Sequence, residues 1–260
     1  MLLELIDINR LPIFLLVFVR LLSFFLVVPL FSYRTIPLPF RIGFSFFLAL
    51  ILFQTIDSTL FVLDHTYIFL IVKEALVGLL VGLLAFIIVS AIQVAGGFVD
   101  FQMGFAIANV VDPQTGAQSP LTGQYFYMIA LLFLLAVDGH HLIIDGIFTS
   151  YQFISIDAFI PFEDGSITEF IIQSFNYMFI IAFQMAIPIV GTLFLVDIAL
   201  GIIARTVPQL NVFVVGLPLK ILVSFVAILI FLSLYITAIE NLFGTMFRAM
   251  RGLLQIFGGA

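Results

Sequence analysis

The chain has 260 residues, of which 63% are hydrophobic and 9% are charged. A soluble domain with so few polar residues could not cover its own surface, so the composition excludes one and indicates a membrane protein. The formal net charge of −6 argues against a nucleic-acid partner, and the absence of cysteine excludes disulfides and thiolate metal sites.

Six apolar segments predict an all-α membrane protein of about six long helices. They cover residues 11–33, 42–56, 67–95, 125–137, 170–204 and 221–239. The second and fourth are shorter than the roughly 20 residues that a perpendicular span needs, so either the bilayer thins around them or protein covers them. Residues 142–156 are also apolar but are flanked by acidic residues, and we expect an interfacial or protein-buried helix there.

Residues 93–124 interrupt the apolar pattern with a long stretch rich in glycine and amide side chains. No lysine or arginine occurs between Lys73 and Arg205. A long segment that is neither lipid-soluble nor plainly solvated is expected only where protein buries it or where it lines a cavity. A packing loop and a re-entrant element at a pore both satisfy that condition.

Within this stretch, small and polar residues recur at spacings of three and four, which places them on one stripe of a helix. The stripe consists of Gln93, Gly96, Gly97, Asp100 and Gly104. Small residues on such a stripe let another backbone approach closely. Downstream, residues 112–116 have the composition of a turn, and Ser119 followed by Pro120 predicts the start of a helix with Pro120 as its first residue.

Ionisable residues inside or beside apolar segments are candidates for function. They are Lys73, Glu74, Asp100 and Asp197. Such residues could relay protons or bind an ion, or they could form paired charges at a subunit contact. The glycines Gly78 and Gly82, four residues apart in an apolar helix, predict helix packing.

Catalytic and metal-binding motifs are not recognisable in the sequence. His140, His141 and Asp145 lack the spacing of a zinc motif, so we predict no metal site. No nucleophile elbow, phosphate-binding loop or paired catalytic carboxylates occur. We therefore predict a protein that is not an enzyme, has no catalytic residues and binds no cofactor.

Residues 203–220 join the last two apolar segments, and Pro208 and Pro218 are expected to restrict the helices on both sides. Arg205 and Lys220 bracket an apolar centre, which predicts a helical hairpin with an exposed tip that contacts a partner. The tip residues are Val212, Phe213, Val214, Val215 and Leu217.

On these residues the chain resembles the FliR family of flagellar type III export-gate membrane proteins, which includes injectisome relatives. The resemblance rests on GGFVDFQMGFAIANVVDPQTGAQSPLTGQ, on DGHH at residues 138–141 and on VPQLNVFVVGLPLK. It covers essentially the whole chain. It implies a single FliR-like domain over residues 1–260, built of helical hairpins, with a FliP-like part at 1–169 and a FliQ-like C-terminal hairpin at 170–260.

The family also implies partners and a location. FliP and FliQ would form a helical assembly with this chain around a central channel for unfolded flagellar proteins. FlhB would associate on the cytoplasmic side. The assembly would lie in the bacterial inner membrane, in the flagellar basal body, with part of it above the membrane on the periplasmic side.

By the same resemblance, the loop after the third long helix plugs the closed channel, here at residues 104–120. This loop has one acidic residue and no basic one, and it combines glycine hinges with apolar side chains that can fill a constriction. The predicted plug residues are Gly104, Phe105, Ala106, Ile107, Asn109, Val110, Val111, Asp112, Pro113 and Gly116.

The sequence therefore favours a channel and assembly subunit for protein export. The alternative is a secondary transporter of a small solute that uses Asp100 and Asp197 as coupling sites. An inverted repeat would support the transporter, and the two halves of the chain show no convincing self-similarity.

Overall fold

The computed structural model describes residues 10–33, 35–56, 65–105, 120–158, 165–207, 209 and 211–259. Within these residues the chain is entirely helical, with seven helices and no strand, which confirms the all-α prediction. The helices are α1 (Leu11–Val27), α2 (Leu38–Leu52), α3 (His65–Met103), α4 (Leu121–Ala136), α5 (Gly139–Phe153), α6 (Ser166–Thr206) and α7 (Val212–Phe257).

Three of the described helices, α3, α6 and α7, are long and apolar enough to cross a membrane, and α4 and α5 counted together add a fourth span. Helices α3, α6 and α7 contain 39, 41 and 46 residues. The other predicted segments, now α1, α2 and α4, form helices of 17, 15 and 16 residues. Three of the six segments that were expected to form long helices therefore form short ones. Helix α5 covers the residues for which a separate apolar helix was predicted.

The last two helices tolerate proline in their interiors. Pro188 lies within α6, and the Thr192 hydroxyl donates a hydrogen bond to its carbonyl at 2.7 Å. Pro218 lies within α7, so the expectation that it restricts the helix there is wrong. Proline removes one backbone donor, and apolar helices with packed neighbours accommodate that loss. Pro208 lies outside the described residues.

The chain divides into two compact units. The first comprises Met1–Ile87, Asp138–Ser174 and Thr245–Ala260, and the second comprises Ile88–Val137 and Phe175–Gly244. Helices α3, α6 and α7 each contribute residues to both.

In the first unit, α1 packs on α2 through phenylalanine rings. Phe14 lies edge-on to Phe46 at 5.3 Å between ring centroids, and Phe25 lies edge-on to Phe44 at 5.1 Å. Aromatic pairs of this kind contribute about 0.5–1.5 kcal/mol beyond the area that they bury. The high phenylalanine content therefore serves packing within the chain as well as its apolar surface.

Helix α3 lies directly against the backbone of α1 in the same unit. A Cβ on Gly78 would overlap the carbonyl of Arg20, and a Cβ on Gly82 would lie 3.0 Å from the carbonyl oxygen of Phe24. The predicted helix packing at Gly78 and Gly82 is confirmed. This close packing also allows polar side chains of α3 to reach those of α1.

Candidate functional site

The buried carboxylate of Asp100 caps the start of α4 in the second unit. Its oxygens accept hydrogen bonds from the backbone N–H of Thr122 at 3.1 and 3.3 Å, and the Thr122 hydroxyl donates to the same carboxylate. Thr122 is the second residue of α4, where backbone N–H groups have no partner within the helix. A carboxylate is favourable there because the helix dipole is positive at this end.

The cap therefore comes from a neighbouring helix rather than from the predicted Ser119–Pro120 pair. Pro120 occupies the N-cap position of α4, one position before the one predicted for it, and makes no side-chain hydrogen bond. Ser119 lies outside the described residues.

The predicted stripe of small residues brings α3 and α4 into backbone contact. A Cβ on Gly96 would overlap the backbone of Gly123, and a Cβ on Gly123 would lie 2.8 Å from the carbonyl oxygen of Gln93. Pro120 packs beside Gly97, 3.5 Å from where its Cβ would be. The predicted close approach of another backbone to the stripe is confirmed, and the backbone that packs there belongs to α4.

Helix α3 ends at Met103 because the next residue leaves the helical conformation. Gly104 has a φ of +92°, which favours glycine because it has no Cβ. The space beside Gly104 is filled by the side chain of Leu217 on α7, 3.5 Å from where a Cβ would be. Leu217, predicted as a tip residue, thus packs against the end of α3.

A polar junction joins three helices of the second unit next to this helix end. The Asp197 carboxylate on α6 accepts a hydrogen bond from the amide nitrogen of Gln102 on α3 at 2.8 Å. Its other oxygen forms an ion pair with the ammonium group of Lys220 on α7. Asp197, predicted as a functional or paired charge, is therefore paired within its own chain.

The described residues include only the first two of the predicted plug residues. Gly104 ends α3, and Phe105 follows it with a half-buried side chain. The remaining predicted plug residues lie outside the described residues: Ala106, Ile107, Asn109, Val110, Val111, Asp112, Pro113 and Gly116. Two described helix ends flank these residues, the end of α3 and the start of α4. A carboxylate binds each of the two ends.

The predicted tip residues lie in the first two turns of α7. Val212 is its first residue, and Val214, Val215 and Leu217 are 66%, 49% and 45% exposed. The placement of the Phe213 side chain lies outside the description. The exposed apolar side chains leave the contact prediction open, and Leu217 shows that part of this surface already serves packing within the chain.

The first unit holds a buried ionic cluster that the sequence analysis did not find as a whole. Both Arg20 on α1 and Glu74 on α3 have side chains that are 0% exposed. Two guanidinium nitrogens of Arg20 donate to the two carboxylate oxygens of Glu74, one of them at 2.9 Å. Arg20 also donates to the Ser150 hydroxyl at 3.0 Å and lies over the ring of Tyr151 at 3.9 Å.

Lys73 is the second cation of this cluster. Its ammonium group lies 2.5 Å from the Glu74 carboxylate and donates to the carbonyl oxygens of Ser155 at 3.1 Å and Ile156 at 2.8 Å. These carbonyls follow directly after α5, where helix dipoles favour positive charge. One carboxylate and a set of carbonyls therefore balance two buried cations.

A signal for this cluster was present in the sequence. Arg20 interrupts an apolar segment in its middle, and a charge in that position needs a partner. The partners could not be identified without the fold, because Glu74 and Ser150 are 54 and 130 residues away along the chain.

Asp138, His140 and His141 lie at the start of α5, with ligand-type atoms within 4.8 Å of one another. Asp138 has a φ of 56°, and its carboxylate is 3.8 Å from the ring nitrogen of His141. The positive end of the helix dipole disfavours a cation at this place. Asp145, which the sequence analysis considered with the two histidines and rejected as a metal site, is not in this group.

Long apolar helices joined by buried polar contacts define this protein as an all-helical membrane protein. The family model of bacterial export proteins, family 1, matches residues 11–246. The chain belongs to this family, which confirms the resemblance found in the sequence.

Individual relatives extend over nearly the whole chain. It is 56% identical to the flagellar biosynthetic protein FliR of Bacillus subtilis over 253 residues, which are 96% of this chain and 98% of that protein. It is 24% identical to FliR of Escherichia coli K12 over 91% of this chain and 90% of that one. It is also 27% identical to the Yop proteins translocation protein T of Yersinia pestis, over 82% of each chain.

Proposed function

We propose that this protein is a component of the bacterial flagellar type III protein export gate, acting as a channel and assembly subunit. The observation that carries the proposal is the 56% identity to a flagellar FliR over almost the full length of both proteins. Family membership makes the chain an export protein of the membrane and not an enzyme.

The transporter alternative needs Asp100 and Asp197 as free coupling sites. Asp100 is bound to the start of α4, and Asp197 is bound to both Gln102 and Lys220. A coupling ion or proton would have to displace these partners, so the alternative finds no support.

Its proposed partners are FliP and FliQ, which would surround the export channel with this chain, and FlhB on the cytoplasmic side. The proposed location is the inner membrane and flagellar basal body, with part of the assembly on the periplasmic side. Supporting this, the most apolar windows of α6 and α7 are only 22% buried within the chain. Surfaces of that kind need lipid or protein partners.

The internal organisation belongs to the same proposal. Residues 1–169 would be the FliP-like part and residues 170–260 the FliQ-like hairpin, formed mainly by α6 and α7. The tip residues Val214 and Val215 are exposed apolar side chains on that hairpin, which suits a contact with a partner.

Residues 104–120 are proposed as the plug of the closed channel. A plug needs fixed ends and a largely uncharged, apolar middle. Asp100 holds the start of α4, and Leu217 packs at the end of α3, which supplies two anchored ends. The intervening sequence contains one acidic residue and no basic residue.

Co-purification tests the proposed function. Expressed with FliP and FliQ and extracted in mild detergent, the tagged chain should elute as a hetero-oligomer that contains both. Elution alone or as a homo-oligomer, with partners present in the same membranes, would contradict the proposal.

Deletion within residues 106–117 tests the plug. The shortened chain should still co-purify with its partners, while the membranes become leaky to small solutes and overproduction slows growth. A packing loop would instead lose assembly without any leak. An assembled complex that stays tight would rule the plug out.

A further inference from the structure

The Asp197 side chain connects three helices with one carboxylate. Gln102 on α3 donates to one oxygen, and Lys220 on α7 pairs with the other. Asp197 itself belongs to α6. Each carboxylate oxygen therefore binds a residue of a different helix. The position of α3 depends on a carboxylate that also joins α6 to α7.

The junction lies at the last turn of α3. Gln102 is the penultimate residue of that helix, which ends at Met103. Immediately afterwards, Gly104 packs against Leu217 of α7, three residues before Lys220. A polar contact and an apolar contact thus tie the same short stretch of α3 to the first turns of α7.

The charged groups of the junction are only partly covered by the chain itself. The side chains of Asp197 and Lys220 are 36% and 22% exposed. Such a pair can separate at a lower cost than one that the chain buries fully, because water or a polar group of a partner can reach the separated charges. The contact between Gln102 and Asp197 can therefore break without unfolding the helices that carry it.

We propose that Asp197 is a positioning residue that sets where the C-terminal end of α3 sits on the α6–α7 hairpin in the export gate. The carboxylate acts through Gln102 and Lys220. This inference deepens the proposed function, because it assigns an internal junction to the helix end at which the proposed plug begins.

Distances between spin labels test the inference directly. The chain contains no cysteine, so cysteines introduced at Phe101 on α3 and Leu222 on α7 are the sole labelling sites. Both side chains are exposed, at 75% and 62%. The full-length chain in mild detergent should give one narrow distance distribution.

Asp197→Asn leaves a single acceptor oxygen for both Gln102 and Lys220, so one of the two contacts is lost. It should lower the population of this distance relative to longer ones by about tenfold to a hundredfold, the factor expected for losing a hydrogen bond to a charged group. The matched control is Glu240→Gln, which changes an exposed carboxylate of α7 to an amide and should leave the distribution as it was.

Exchange of the charges distinguishes pairing from general damage. In the double variant Asp197→Lys with Lys220→Asp, the carbonyl oxygen of Gln102 can accept from the new lysine, because an amide both donates and accepts. The narrow distribution should return. Gln102→Leu keeps the ion pair and should broaden the α3–α7 distance while a label pair on α6 and α7 stays unchanged.

An unchanged distance in Asp197→Asn would overturn the inference, and so would failure of the charge exchange to restore it. If Asp197→Asn does not accumulate, an unchanged distance in Gln102→Leu would overturn it in the same way. Co-purification with FliP and FliQ is measured separately, so failure of the proposed function would not be confused with failure of this inference.

Discussion

Two charged junctions hold the long helices of this chain, one in each compact unit, and they differ in burial. In the first unit the side chains of Arg20 and Glu74 are 0% exposed, and several further groups bind Arg20. In the second unit Asp197 and Lys220 keep 36% and 22% of their side-chain surface exposed. An ion pair built on one carboxylate therefore occurs in two environments, with two cations in the first unit and one in the second.

The difference indicates two roles. A fully buried pair is expensive to separate, because each charge would be left without water or a partner. The first junction should therefore behave as a fixed part of the fold. A pair that the chain covers only partly can exchange its partners with water or with polar groups of another subunit, so the second junction can set a position that changes during function.

Breaking the buried junction should have the largest effect. Glu74→Gln leaves Arg20 and Lys73 without their shared carboxylate, and we expect a loss of about 3–5 kcal/mol in the free energy of unfolding. The protein level in membranes and the thermal unfolding midpoint in detergent measure this. Glu240→Gln is the control and should keep the parent midpoint. A midpoint equal to the parent value in Glu74→Gln would contradict the assigned role.

Exchange of charges should fail in the buried junction, in contrast to the exposed one. In Arg20→Glu with Glu74→Arg, the new carboxylate would face the Ile154 carbonyl and the Ser150 hydroxyl oxygen, which accept hydrogen bonds from Arg20 in the parent. A carboxylate has no donor for either, and the Ser150 hydroxyl hydrogen is already donated to the Ile147 carbonyl. Recovery of the parent unfolding midpoint by this exchange would remove the distinction between the junctions.

A smaller effect should follow from pushing α1 away from α3 beside the buried junction. Gly78→Ala places a methyl group on the Arg20 carbonyl, and overpacking of this kind costs about 1–3 kcal/mol. Gly191→Ala on α6 is the matched control, because nothing lies within 4 Å of its Cβ position. Alanine has the higher helix propensity, so Gly191→Ala should stabilise by about 1 kcal/mol. Equal shifts of the unfolding midpoint for the two variants would contradict the close contact.

The cap of α4 should show the smallest effect. Asp100→Asn removes the charge but keeps one oxygen acceptor for Thr122, so we expect a loss of about 0.3–1 kcal/mol, the usual value of a charge at a helix end. A double-mutant cycle with Thr122→Val measures the coupling. Fully additive effects of the two changes on unfolding would mean that they do not interact.

Much of the second unit could be predicted from the sequence. The spacing of Gly96, Gly97 and Asp100 indicated a face that another backbone could approach, and α4 occupies it. The apolar segment itself was expected to end near residue 95, but the spacing of the stripe placed residues up to Gly104 on a helix, and α3 ends at Met103. Close packing at Gly96 and the cap made by Asp100 explain why glycine and aspartate suit the interior of this helix.

The contacts of the buried cluster in the first unit could not be predicted from sequence patterns. Arg20 could be recognised as an unusual charge, but its partners come from two separate segments of the chain, Glu74 on α3 and Ser150 and Ile154 at the end of α5. The contacts that pair Arg20 are tertiary, and hydropathy alone carries no information about them. In the second unit, Pro218 was expected to restrict the helix, although α7 begins six residues before it.

Restoration of export tests the central claim that this chain is a working export-gate subunit. The chain is produced in Bacillus subtilis cells that lack their own FliR, and flagellar proteins in the medium are measured together with the amount of the chain in the membrane. The account predicts that the parent and Glu240→Gln restore export, whereas Glu74→Gln does not because it fails to accumulate. Normal membrane levels of the parent chain with no exported flagellar protein would contradict the account.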